Sequence, residues 1–204
     1  MSALPLPWQE SVWSSLNSAI DADRLPHALL ISGDSGIGKS RLANALAQRL
    51  TCSAEMVKYA CGTCKSCLLL AAGNHPDVSF LEPEDSGKPI KIDQVRALCQ
   101  SLSKTAQQGG WKVAVISPAE AMNINAANAL LKNLEEPQAK TLLILVSHRP
   151  SRLSATIRSR CQKLSLPTPD SISALSWLTE VTGDRGAAEQ VLPLAGGRPL
   201  LALD

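Results

Sequence analysis

The sequence predicts an α/β fold: a parallel sheet flanked by helices, carrying a cysteine-bearing insertion and followed by a small helical lid. Three observations lead there. Apolar runs of strand length alternate with amphipathic helical patterns between residues 29 and 166, an order that lays strands side by side in parallel with helices on the sheet faces. Residues 33–40 read Gly33-Asp34-Ser35-Gly36-Ile37-Gly38-Lys39-Ser40, a complete G-x-x-x-x-G-K-[ST] pattern, between the apolar run Ala28-Leu29-Leu30-Ile31 and a helical pattern. That strand–loop–helix setting is what gives the pattern its meaning as a phosphate loop. Finally, Cys52, Cys61, Cys64 and Cys67 fall in one short stretch.

The elements follow in order. Trp8, Val12, Leu16 and Ile20 recur four apart and predict a helix over 8–20. Trp8 and Trp13 read as core or docking surface rather than as ligand-stacking groups. A first strand spans 29–32, and the helix after the loop spans 39–50. A short helix at 67–72 is broken by Gly73-Asn74-His75-Pro76-Asp77. A strand at 78–81 and a polar stretch at 82–88 lead to a helix capped by Asp93 and ending at 103, with Val95, Leu98 and Leu102 on one face. Gly109-Gly110 ends that region. The continuous apolar run 112–116 reads as a central strand of a parallel sheet.

A strong helix over 123–136 turns Ala127, Leu130, Leu131 and Leu134 inward and stops at Pro137. A buried strand at 141–146, a helix at 154–159 and a last strand at 162–166 complete the sheet pattern. Pro167-Thr168-Pro169 is the clearest linker, followed by helices at 170–182 and 185–194 and the start of a third at 200–203. The expected organisation is a nucleotide-binding domain over 1–166, with a zinc module at 52–67, and a helical lid over 167–204. The pattern breaks off in mid-course, as a fragment of a longer chain would.

Composition narrows the function. With 204 residues, 45% apolar and 19% charged, the chain reads as soluble and globular. One Phe and one Tyr argue against stacking on single-stranded bases, and a formal charge of +2 implies no global preference for polyanions. No apolar stretch is long enough to span a membrane, and the N-terminus lacks the layout of a signal peptide. The cytoplasm is therefore the expected compartment.

In that compartment the spacing C-x8-C-x2-C-x2-C favours a metal over disulfides. Four thiolates would close a tetrahedral Zn²⁺ shell and leave no open position, so the expected site is structural. Free or redox-active loop thiols are the alternative. Cys99 and Cys161 stand apart and read as small buried apolar residues. His75 reads as a loop residue rather than a further ligand.

The phosphate loop has a specific chemistry. Its glycines let backbone N–H groups face a β-phosphate, while Lys39 and Ser40 reach the phosphates and Mg²⁺. Hydrolysis also needs an apolar strand ending in acids that hold Mg²⁺ and orient water. The strand 112–116 instead ends in Ser117-Pro118. Glu120 is the nearest acid, three residues beyond Ser117, where chain geometry disfavours its standing in. Losing a water-positioning group costs on the order of 10²–10⁴ in rate.

The run Asn128-Ala129-Leu130-Leu131-Lys132-Asn133-Leu134-Glu135-Glu136-Pro137, together with Ser159-Arg160-Cys161, closely resembles signatures of the clamp-loader subunits of bacterial DNA polymerase III, within the AAA+ family. With the phosphate loop and the four cysteines, the resemblance spans nearly the whole chain. It implies an AAA+ P-loop domain with a helical lid. It implies tau or gamma and delta subunits as partners, and a sliding clamp and primed DNA reached through the assembly. Competent relatives carry an Asp-Glu pair where Ser117-Pro118 stand here. The resemblance therefore implies a non-hydrolysing subunit of a DNA-directed DNA polymerase holoenzyme.

It also implies that Arg160 acts as an arginine finger on ATP held by a neighbouring subunit; without it, Arg160 reads as a surface arginine capping its helix. Arg158 competes for either role. Ser147 and His148 fall at the family's first nucleotide sensor and Leu200 at its second, with Arg198 two residues early. Glu135 and Glu136 end a helix and suit surface or interface contacts. Gly33, Gly36, Gly38, Lys39 and Ser40 are the expected ATP or ADP contacts with Mg²⁺; the loop either binds nucleotide without turning it over or survives as a well-packing turn. Two rival functions are an active ATPase with Glu120 as the acid, and a zinc-dependent nucleic-acid adaptor, for which Lys58 and Lys65 supply little basic density.

Overall fold

The computed structural model of the chain describes every residue except 1–3, 55, 56, 86, 109 and 204. The extreme N-terminus and the Gly109 half of the turn read from the sequence lie outside the described residues. Five strands form one parallel sheet: β1 (Ala28–Ser32), β2 (Val78–Leu81), β3 (Lys112–Ile116), β4 (Thr141–Ser147) and β5 (Gln162–Ser165). Their order across the sheet is β2-β3-β4-β1-β5, with every pairing parallel.

The central strands are apolar on both faces because helices cover both. Leu29, Ile31, Val113, Val115, Leu142, Ile144 and Val146 face one core; Ala28, Leu30, Ala114, Ile116, Leu143 and Leu145 face the other. This two-residue alternation within an unbroken apolar run is the signature of a doubly covered sheet. The first core is closed by α1 (Glu10–Asp21) and α2 (Lys39–Thr51), through Trp13, Leu16, Leu42 and Leu46. α3 (Lys65–Ala71) adds Leu70 to the same core. The second is closed by α4 (Ile92–Leu102), α5 (Ile124–Glu135) and α6 (Ala155–Arg160), through Val95, Leu98, Leu130, Leu134 and Ile157. Helices α7 (Ser171–Thr182) and α8 (Arg185–Leu194) form their own small core of Ala174, Leu178, Ala188 and Leu192.

Three local expectations need correction. The first helix opens as a 3-10 turn, Pro7–Gln9, because the Gln9 side chain folds back to accept the Leu6 N–H at 2.9 Å. Asp93 does not cap α4: the chain enters one residue earlier, Lys91 is the cap, and its N–H donates to Gln94 Oε1 at 2.8 Å. Asp93 sits in the first turn, where its charge still complements the helix dipole. Residues 200–203 form turns rather than a third helix, since the Leu200 N–H is taken by Gly36 O at 3.0 Å.

One buried ion pair ties the sheet edge to α4. Asp77, just before β2, accepts the Gln107 and Gln108 amides at 2.8 Å each and lies 3.8 Å from Lys112 Nζ. Lys112 in turn donates to Ser101 O at 2.7 Å. Both side chains are almost fully enclosed (1% and 6% exposed), a burial tolerable only because nearly every polar atom is satisfied.

Candidate functional site: a phosphate loop, a thiol cluster and a distant arginine

The phosphate loop leaves the C-terminal end of β1 and feeds α2, whose N-cap is Gly38 at φ +88°. Gly36 and Gly38 hold backbone angles that L side chains rarely adopt, and both are also close-packing points. A Cβ on Gly36 would lie 2.7 Å from Leu201 Cβ, and one on Gly38 would collide with Leu6 Cδ1. The loop carbonyls are capped from outside: Trp8 Nε1 donates to Ile37 O at 3.0 Å, and Gln9 Nε2 to Ile37 O and Gly38 O at 3.2 and 3.0 Å. Trp8 packs edge-on against Trp177 of α7, ring centres 5.5 Å apart. The N-terminal turn and the segment after α8 thus meet over the loop. Trp8, read from the sequence as core or docking surface, is half-buried against α7, but nothing in its spacing pointed to Gln9, Trp177 or Leu201.

Lys39 is 3% exposed and its ammonium donates to Asp34 O within the loop. Burial pulls its pKa down to about 8, against the attraction of Glu120 and Asp34. Ser40 Oγ and Ser117 Oγ lie 3.3 Å apart, so the end of β3 does face the helix that a metal-bound phosphate would use. The group it presents is a neutral hydroxyl.

Glu120, on the 3-10 turn Ala119–Ala121, turns to the end of β4. Its Oε1 accepts the His148 and Arg149 amides at 2.9 and 3.0 Å. Burial works to raise its pKa, but its own backbone, the Ser147 hydroxyl and the His148 amide outweigh that and hold it low. Ser147 is fully buried and accepts the Arg149 N–H at 3.1 Å. His148 is held below its usual pKa, first by partial burial of the ring and then by the Lys39 charge. At the position read as the second sensor, Leu200 sits against the loop, while Arg198 turns its Nε back to Ala195 O at 2.7 Å.

The thiol cluster is assembled as the spacing predicts. The Sγ atoms of Cys52, Cys61, Cys64 and Cys67 lie within 4.8 Å of one another. A tetrahedral Zn²⁺ shell with bonds of about 2.3 Å holds its sulfurs about 3.8 Å apart, so the donors fit with small adjustment. Backbone amides point at the sulfurs: Cys61 N to Cys52 Sγ and Cys64 N to Cys61 Sγ at 3.3 Å, Cys67 N to Cys64 Sγ at 3.4 Å. Such donors stabilise thiolates. At Cys64, burial opposes ionisation, yet the Ser53 hydroxyl and Cys67 amide more than offset it and bring the thiol to about 5, whereas burial pushes Cys67 up to about 12. The module is braced on α1 by Trp13, which stacks on Tyr59 at 5.9 Å and donates to Lys58 O at 3.1 Å, and by a Lys58–Glu10 ion pair. His75 is not a ligand: its Nε2 meets Ser66 Oγ at 2.7 Å and its Nδ1 accepts the Asp77 amide at 3.1 Å. Cys161 is buried in the second core, as expected, while Cys99 is only partly buried against it.

Arg160 ends α6, just before β5. The register Leu29↔Gln162 sets the start of β5 beside the start of β1, and Leu166 N reaches Ser32 O at 2.8 Å at the far end. Arg160 is therefore separated from its own phosphate loop by the length of β5, about 13 Å for its residues at 3.3 Å each. Its guanidinium pairs with Glu135 at 2.7 Å and donates to Thr156 O at 3.1 Å. Glu135, read as a surface or contact residue, is thus the partner of the arginine. Arg158 keeps its Nε buried without a hydrogen-bond partner among the described residues.

A phosphate loop on β1, a sheet of order β2-β3-β4-β1-β5 and a helical segment after β5 define an AAA+ P-loop protein. The fold matches that of a DNA polymerase III gamma subunit-related protein from Thermotoga maritima (TM-score 0.59, 21% identity, covering 90% of this chain and 57% of that one). The sequence profile of the family described as DNA polymerase III, delta subunit, matches residues 8–170. DNA polymerase III subunit delta' of Pseudomonas aeruginosa is 50% identical over 198 residues, covering 96% of this chain and 60% of the relative. The Haemophilus influenzae subunit of the same name is 41% identical over 205 residues, covering 100% and 62%. The chain belongs to the DNA polymerase III delta' family, and it spans about three fifths of the length of these curated relatives. No helix among the described residues is long and apolar enough to cross a membrane.

Proposed function

We propose that this chain serves as a non-hydrolysing clamp-loader subunit, with residues 1–166 as the nucleotide-fold domain and 167–204 as the lid. Its partners are the tau or gamma and delta subunits, and through the assembly it acts on a sliding clamp and primed DNA. Two observations carry the reading: among the described residues the strand end facing Ser40 offers the hydroxyl of Ser117, while Arg160 lies at the opposite end of the sheet. The first removes the carboxylate that would hold Mg²⁺ and orient water. The second makes Arg160 useless to its own loop and available to another chain's. A guanidinium is always charged and suits the spread negative charge of a transferring phosphoryl group.

Gly33, Gly36, Gly38, Lys39 and Ser40 are the groups that would hold the phosphates of a bound nucleotide. The capping of the loop by Trp8, Gln9 and Leu200 favours its second role, as a seat for the lid. Cys52, Cys61, Cys64 and Cys67 would hold one structural Zn²⁺, whose chemistry is to fix the fold of the module.

Reconstitution with ATP-competent partner subunits, clamp and primed DNA tests the reading. Arg160→Ala should lower ATP turnover at the adjoining site by at least about tenfold, given that such fingers contribute about 10³–10⁵. Lys39→Ala should leave turnover unchanged. Phosphate release by the isolated chain that Lys39→Ala abolishes would instead establish the active ATPase.

A further inference from the structure

The end of β4 offers a set of donors that an anion would normally fill. The consecutive amides of His148 and Arg149 point the same way, and the Lys39 ammonium lies within electrostatic reach. Paired N–H groups beside a lysine form an anion-binding concavity. In this chain the anion is internal. Glu120 Oε1 takes both amides, and its charge attracts Lys39 and His148. The Ser147 hydroxyl helps keep the carboxylate ionised, yet Oε2 is shut from solvent and makes no hydrogen bond of ordinary geometry among the described residues. Glu120 nevertheless stands on the wall of an open cleft of about 720 Å³, together with Ser117, Lys88 and Arg152. A ligand seated on the phosphate loop and extending past Ser40 toward Ser117 would meet this carboxylate.

We infer that Glu120 is a specificity-determining residue of the phosphate loop, an internal counter-anion that excludes the terminal phosphate of a nucleoside triphosphate and leaves the loop, at most, a diphosphate site. The physical basis is a competition for one set of donors. A terminal phosphate carries up to two negative charges and would draw on the same positive groups, Lys39 and the β4-end amides. A fixed carboxylate already holds those amides, and its negative charge repels the newcomer. The inference goes beyond the reading of Arg160 and does not depend on it.

Glu120→Gln is the decisive variant, because its amide oxygen can still accept the His148 and Arg149 N–H groups while the charge is removed. Calorimetric titration of the purified chain with Mg·ATP and with ADP should show ATP affinity rising by about tenfold or more in this variant, with ADP affinity changed by less than about threefold. Glu120→Asp keeps the charge and should leave ATP affinity within about threefold of the parent. Equal gains in the Gln and Asp variants would overturn the inference, since loosening of the β4-end loop would then be the cause. So would undetectable ATP binding by parent and Gln variant alike, or phosphate release by the parent that Glu120→Gln abolishes. The Arg160→Ala result in the reconstituted assembly is read separately, so either idea can fail while the other stands.

Discussion

Gly38→Ala tests whether the phosphate loop is built as a seat for the N-terminal turn and the segment after α8. The substitution carries two costs. An L residue at φ +88° is strained by roughly 1–2 kcal/mol. The new Cβ also collides with Leu6 Cδ1 and stands 3.0 Å from Gln9 Nε2 and 3.3 Å from Leu200 Cδ1. Leu6 is 1% exposed and Gln9 is held by its bonds to Ile37 O and Gly38 O, so neither can retreat freely. Overpacking of that kind adds about 1–3 kcal/mol, for a total of about 2–5 kcal/mol. Gly73→Ala supplies the internal standard, because Gly73 has φ +73° with nothing within 4 Å of the added Cβ. It should cost only the backbone part, about 1–2 kcal/mol. Urea unfolding of both variants, followed by tryptophan fluorescence, measures the difference. In Gly38→Ala, emission should also change before the main transition, because Trp8 leaves Trp177 as the N-terminal turn lifts. Equal costs for the two variants, with no early change in emission, would refute the steric argument.

Three further outcomes are expected. Asp77→Ala leaves Lys112 buried without its counter-charge and two amides without an acceptor, and should destabilise the chain by about 3–5 kcal/mol in urea titration. Zinc analysis should find one ion per chain, lost in Cys61→Ser but kept in Cys99→Ser, and a strong chelator should lower the melting temperature of the parent toward that of Cys61→Ser. Lys39 has a folded pKa of about 8, below its unfolded value, so the unfolded chain binds more protons between about pH 8 and 10.5. Its burial penalty is present in full below pH 8 and is relieved as pH rises through that window. The stability of Lys39→Met relative to the parent, measured by urea unfolding at pH 7 and pH 10, should therefore be more favourable at the lower pH.

Much of this protein is legible from its order of residues. Unbroken apolar runs at β1, β3 and β4 announce strands covered on both faces, because only helices on both sides make such runs soluble. The four-cysteine spacing announces the thiol cluster, because short turns between cysteines bring their sulfurs together. Ser117-Pro118 at the end of β3 announces the missing acid by simple position.

What the sequence could not carry are contacts between segments distant along the chain. Leu201 against Gly36, Gln9 on Ile37 O, Glu120 on the amides after β4 and Glu135 on Arg160 each join separate elements, and no periodicity encodes their partners. Glu120 illustrates the difference: as sequence it is an acid three residues out of place, and in space it is the charge beside the phosphate loop. Local patterning fixed which elements form, because helix and strand periods are set within a few residues. Only the tertiary structure decided which side chain faces which charge, because that depends on how parallel strands bring remote loops to the same end of the sheet.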